Sequence, residues 1–175
     1  TIECADHRRR EDRSHLVALD DLERLCLELG RQVDEIVFRD ALPLERRMPV
    51  AVQLLAAEIP IYTWVGIYLL EGDELVLGPF VGKPSPHTRI PLGSGICGAA
   101  ATEKTTIIVD DVNADPRYLA CSLETKSEIV VPIMSGNDVL GEIDIDSDQA
   151  AAFGARDRAL LEPIAAMLAD RFDEE

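Results

Sequence analysis

The 175-residue chain contains no Cys-x-x-Cys pair and no Cys/His cluster, and its three histidines (His7, His15 and His87) are scattered. A structural zinc site draws its ligands from such close pairs, so a zinc-built fold is disfavoured. Basic residues are also scarce: 17 Lys and Arg stand against 33 Asp and Glu, a formal charge of −16. A surface of that sign repels phosphate backbones and anionic lipid headgroups, which argues against nucleic-acid and membrane-surface partners. The basic run from His7 to Arg10 lies on a polar terminus and is too short to reverse this balance. No apolar stretch approaches the roughly 20 residues that a bilayer span requires. The opening Thr1-Ile2-Glu3-Cys4 lacks the charged-then-apolar order of a secretory signal, although the first residue is not methionine. Neither an internal repeat nor a low-complexity region is present.

What remains is a globular chain. Hydrophobic residues make up 47%, and the length suits one domain with a single core. The four cysteines are Cys4, Cys26, Cys97 and Cys121. An even count is compatible with two structural disulfides, but a core of ordinary size does not need them. The expectation is a cytoplasmic protein with mostly reduced thiols.

Residues 1–14 read as a polar arm, and 15–175 as one domain. Leu22, Cys26, Leu29, Val33 and Ile36 recur at steps of three and four, an apolar stripe on one helix face. Such a stripe can seal a core or pair with a second copy, and Cys26 reads there as a small apolar residue. Pro43 closes this helix, and Pro49 suits the first turn of another that runs to about Ile59. Residues 62–70 and 75–81 form a hairpin around Glu71-Gly72-Asp73-Glu74. Residues 82–92 read as a loop, 93–102 as a short helix, 105–110 as a strand and 111–126 as a long polar connection. A second hairpin pairs 128–134 with 139–147, and a helix spans 155–172. Strands joined by tight turns give an α+β fold, an antiparallel sheet with helices packed on it.

Period-two geometry puts Glu142, Asp144 and Asp146 on one sheet face and Ile143 and Ile145 on the other. Aspartate is disfavoured in strands and like charges on one face repel, so either water or a cation must compensate. Glu128 begins the preceding strand of the same hairpin and can converge with this row. A partly dry cluster of acids raises at least one carboxyl pKa, keeping a proton available near neutrality, and offers a seat for an ammonium group. Trp64, Gly66 and Tyr68 share a strand face, which leaves either a slot between two rings, suited to a polarizable sulfur, or ordinary core packing. Cys97 follows Gly93-Ser94-Gly95 at a helix start, where free amides can stabilise a thiolate or where glycines simply permit a turn. Cys121 lies in the long loop, a place suited to a thiol that forms and breaks bonds.

These frames carry a resemblance. The segments Trp64-Val65-Gly66-Ile67-Tyr68-Leu69-Leu70, Arg89-Ile90-Pro91, Gly95-Ile96-Cys97-Gly98, Ala120-Cys121, Ser127-Glu128-Ile129-Val130 and Asp144-Ile145-Asp146-Ser147 resemble the GAF-domain free methionine-(R)-sulfoxide reductases. The resemblance implies a GAF-like sheet, helices on one face, a loop-covered pocket on the other, and a homodimer. It makes Cys121 the nucleophile and Cys97 the resolving thiol. Glu128, Asp144 and Asp146 correspond to substrate-binding and proton-supplying acids, with Glu128 and Asp146 the proton donors, and Trp64 and Tyr68 form the aromatic wall. No cofactor or metal is implied, and thioredoxin or another dithiol recycles a Cys97–Cys121 disulfide. One departure is plain: family members with three cysteines carry another before Arg-Ile-Pro, where this chain reads Gly82-Lys83-Pro84-Ser85-Pro86-His87-Thr88.

Two other readings stay open at this stage. A non-catalytic GAF sensor would use the same cup for a small ligand without working thiols; a bilin photosensor is disfavoured because neither Cys97 nor Cys121 precedes a histidine. An interaction protein would use the N-terminal stripe to dimerise.

Overall fold

The computed structural model describes Glu28 and residues 43–119, 122–170 and 172. Cys4, Cys26, Cys121, the N-terminal arm and the apolar stripe from Leu22 to Ile36 lie outside the described residues. The polar connection at 111–126 includes a 3-10 turn at Val112–Ala114.

Helix α1 spans Leu44–Glu58 and begins a turn earlier than the sequence led one to expect. Pro43 occupies its N-cap, φ −64° and ψ 153°, so Pro49 falls inside the helix instead of in its first turn. A proline loses no hydrogen bond at a helix start, whereas Pro49 forfeits one i→i−4 bond. Burial of Met48, Ala51, Val52 and Leu55 on one face offsets that loss.

Strands β1 (Trp64–Glu71) and β2 (Glu74–Val81) form the first hairpin, followed by β3 (Arg89–Pro91), helix α2 (Gly95–Glu103) and β4 (Ile107–Val109). The second hairpin is β5 (Ser127–Ser135) and β6 (Asp138–Ser147), and α3 spans Ala155–Ala169. The strands make one six-stranded sheet in the order β3-β2-β1-β6-β5-β4, with every neighbouring pair antiparallel. Strand β3 lies within the stretch whose sequence predicts a loop. Its three residues pair with Glu74, Leu75 and Val76, too short a run for alternation to register.

Side chains divide by parity. Val65, Ile67, Ile129, Val131, Ile143 and Ile145 face Val52 and Leu55 of α1 and Leu161, Ile164 and Leu168 of α3. Each such side chain contributes about 1.5–3 kcal/mol on burial. Tyr62 Oη donates to Asp157 Oδ1 at 2.7 Å, and Asp157 Oδ2 accepts from the Gly154 amide at 2.8 Å, fixing the start of α3 against the approach to β1. The two long helices thus share one face, as expected. Short α2 lies on the other, packing Ile96, Cys97 and Ala100 with Trp64, Tyr68 and Val130.

Candidate active site

Register converts three sequence segments into one patch. Opposite residues on antiparallel strands share a face. Trp64 pairs with Asp146, Gly66 with Asp144 and Tyr68 with Glu142 across β1 and β6. Across β5 and β6, Glu128 pairs with Asp146 and Val130 with Asp144. The four acids therefore converge on the face covered by α2.

They are not a solvated acidic edge. Exposure is 0% for Glu142, 3% for Asp144, and 5% for both Asp146 and Glu128. Cys97 projects from α2 into the same space, its Sγ 3.8 Å from Glu128 Oε1. The sulfur, one Glu128 oxygen and one Asp144 oxygen all lie within 4.8 Å of one another. Thr125 Oγ1 lies 3.3 Å from Asp146 Oδ2 and donates to it. Neither Glu142 oxygen nor Asp144 Oδ1 finds a donor among the described residues beyond the weak Cys97 thiol.

Burial, with no ion pair among the described residues reaching these acids, dictates the protonation. Desolvation, then the charge of Asp144 and the other acids, pushes Glu128 well above the carboxyl range. Desolvation likewise raises Glu142 and Asp144. It lifts Asp146 to about 7, with the Thr125 hydroxyl pulling the other way. The cluster thus holds exchangeable protons at neutral pH.

Cys97 experiences the same environment. Burial first, and then the charges of Asp144, Glu142 and Glu128, push its thiol well up. Of the two readings of this helix start, burial and the acids oppose the stabilised thiolate and leave the glycine turn. Cys97 is the third residue of α2, but its sulfur is placed against the acids.

Of the two readings of the Trp64, Gly66 and Tyr68 face, the geometry favours ring packing over an open slot. An ideal Cβ on Gly66 would lie 2.2 Å from Trp64 Cη2, so the indole occupies the space above that glycine. Trp64 stacks on Phe80 with ring centroids 5.8 Å apart, while the Tyr68 ring is 6.4 Å away and tilted. Both rings are tied to the loop at 82–88: Trp64 Nε1 donates to the Lys83 carbonyl at 3.0 Å and Tyr68 Oη to the His87 carbonyl at 2.9 Å. Lys83 Nζ in turn pairs with Glu124, joining this loop to the connection between β4 and β5.

Beneath these loops lies a cavity of about 290 Å³, bordered by Trp64, Tyr68, Lys83, Thr125, Asp144 and Asp146. That volume is at the small end for metabolite sites and fits a molecule of amino-acid size. Of the residues singled out from sequence, Trp64, Tyr68, Asp144 and Asp146 line the cavity. Glu128 and Cys97 adjoin the acids behind it. Cys121 lies outside the described residues. Thr125 and Lys83 were not anticipated, because a lone hydroxyl and a loop lysine carry no pattern.

The GAF domain family profile matches residues 43–172, which take in every element of the site. A free methionine-R-sulfoxide reductase of Escherichia coli is 39% identical over 115 residues, 66% of this chain and 69% of that protein. The chain belongs to the GAF-domain family of free methionine-R-sulfoxide reductases. The family member from Saccharomyces cerevisiae is 44% identical over 122 residues, 67% of this chain and 66% of that protein. A solved structure of the Neisseria meningitidis family member, in complex with its substrate, superimposes with a TM-score of 0.82. It is 35% identical, and the match covers 89% of this chain and 93% of that one. No helix among the described residues is long and apolar enough to cross a membrane.

Proposed function

We propose that this chain reduces free L-methionine-(R)-sulfoxide to methionine with its own thiols. The observation that carries the reading is the gathering of Cys97 and four buried acids behind a small cavity walled by Trp64 and Tyr68. In this reading the substrate ammonium is held by Asp144 and Asp146, and its polarizable sulfur lies against the indole of Trp64. Tyr68 completes the wall and anchors the covering loop.

The Cys121 thiolate attacks the sulfoxide sulfur, and a protonated Glu128 or Asp146 gives its proton to the sulfoxide oxygen. Oxygen passes to Cys121 as sulfenic acid while the substrate sulfur gains two electrons and departs as methionine. The Cys97 thiol, losing its proton to a neighbouring carboxylate, condenses with the sulfenic acid to give the Cys97–Cys121 disulfide and one water. A thioredoxin-like dithiol then reduces that disulfide. The net change is sulfoxide plus dithiol to methionine, disulfide and water. The high thiol pKa of Cys97 suits a resolving residue that stays unreactive until Cys121 has been oxidised.

The same reading makes the protein a cytoplasmic homodimer without bound cofactor. The deficit of basic residues supports a metabolite substrate over nucleic acid or membrane. The test is NADPH consumption coupled through thioredoxin and its reductase to free methionine-(R)-sulfoxide. Cys121→Ser should abolish turnover. An undiminished rate in that variant would overturn the assignment.

A further inference from the structure

The acid cluster holds more carboxyls than one amino-acid substrate uses. In the reductase reading Asp144 and Asp146 hold the substrate ammonium and face the cavity, and Glu128 or Asp146 supplies the transferred proton, which leaves Glu142 without a task. Behind Asp144 and Asp146 lie Glu128, Glu142 and the Cys97 sulfur. None of the ion pairs among the described residues reaches any of these four acids. Glu142 is fully buried, and both its oxygens lack any partner other than the weak thiol. A buried carboxyl left in that state costs several kcal/mol unless a proton or a cation joins it.

The donor geometry says which cation. One sulfur and two carboxylate oxygens lie within 4.8 Å of one another, with Sγ to Glu128 Oε1 at 3.8 Å. Bonds of about 2.3 Å to sulfur and about 2.0 Å to oxygen place the donors of a four-coordinate centre roughly 3.2–3.7 Å apart. Side-chain rotations of about 1 Å on α2, β5 and β6 close that difference. A hard cation such as calcium needs six to eight oxygens, more than this enclosed set provides, whereas sulfur with few oxygens favours a thiophilic ion.

We propose that Cys97, Glu128 and Asp144, backed by Glu142, form a binding site for a thiophilic divalent cation of the zinc class, which shares Asp144 with the substrate's seat on the cavity wall. Binding exchanges the thiol proton for the metal and leaves Cys97 unable to form a disulfide. The inhibitory consequence rests on the reductase reading; the binding itself does not.

The probe is Cd²⁺, titrated anaerobically into the reduced full chain and followed by its ultraviolet thiolate-to-metal charge-transfer band. In a Cys4, Cys26 and Cys121→Ser variant, Cys97 is the sole thiol and the band should persist at one metal per chain. Cys97→Ser should remove the tight phase from the wild-type background. Glu128→Gln and Glu142→Gln should each weaken binding about 10–100-fold, as changes at or behind metal ligands do. X-ray absorption of Zn²⁺ bound to the wild type should show one sulfur near 2.3 Å with oxygens near 2.0 Å, a readout that needs no variant to fold. Tight binding that survives Cys97→Ser, or affinity indifferent to both Glu variants, overturns the site. So does a zinc environment without sulfur. None of these outcomes depends on turnover, so loss of the reductase reading leaves the metal result standing.

Discussion

Removing the charge at Asp146 should stabilise the protein while disabling it. Burial raises this carboxyl from 3.8 to about 7, opposed by the Thr125 hydroxyl. An acid whose folded pKa is raised binds more protons in the native state, so native stability falls as pH rises through the interval. The loss begins near 3.8 and is complete just above 7. At about 1.4 kcal/mol per pH unit the gap is worth about 4 kcal/mol at most. Asp146→Asn escapes that cost but weakens the bond from Thr125, worth about 1 kcal/mol. The Asp146 charge also raises Glu128 and Asp144, so its removal relieves those neighbours as well and does not subtract from the gain. The net expectation is about 2–3 kcal/mol at pH 8, about 1–2 M in urea midpoint. The measurement is equilibrium urea unfolding of both proteins at pH 8 and near pH 4, with sulfoxide turnover assayed alongside. The advantage should shrink towards zero at the lower pH, where the carboxyl of the wild type is protonated in the native state. A variant no more stable than wild type at pH 8 would refute the claim that Asp146 is held in a dry, uncompensated site.

Three other outcomes are expected. The pH profile of kcat should fall on its alkaline side with an apparent pKa at or above about 7, as Asp146 and its coupled neighbours lose the transferable proton; a rate flat to pH 9 excludes a carboxyl donor. Gly66→Ala would put a methyl 2.2 Å from Trp64 Cη2, displacing the indole from Phe80 and from the Lys83 carbonyl. The cost should be about 1–3 kcal/mol, with shifted tryptophan fluorescence and a raised KM; an unchanged emission spectrum contradicts the close approach. Tyr62→Phe removes a donor to buried Asp157 and should cost about 1.5–3 kcal/mol in thermal or urea unfolding, with kcat untouched because this pair lies on the face covered by α1 and α3, opposite the acids.

The sheet and its parity were legible because alternation is a local property. Ile143 and Ile145 against Glu142, Asp144 and Asp146 can be divided between faces from the chain alone, and the fold places them so. Strand β3 escaped because three residues hold no period, and Pro49 misled because a proline fits a first turn more cheaply than a second. The families of residues in the site were also readable, as separate frames with reactive side chains. Their relations were not.

What the sequence determined by itself was composition, face and reactive type: an α+β chain, poor in basic residues, with acids and thiols in distinctive settings. Only the tertiary structure decided that the acidic row is dry, that α2 lays Cys97 on it, and that the indole covers Gly66. Those three facts depend on strand register and on which layer covers which face, where residues 31 positions apart, Cys97 and Glu128, come within 3.8 Å. Dielectric surroundings follow from that burial, and with them whether a carboxyl carries charge or a proton. No local pattern encodes how much water remains around a side chain.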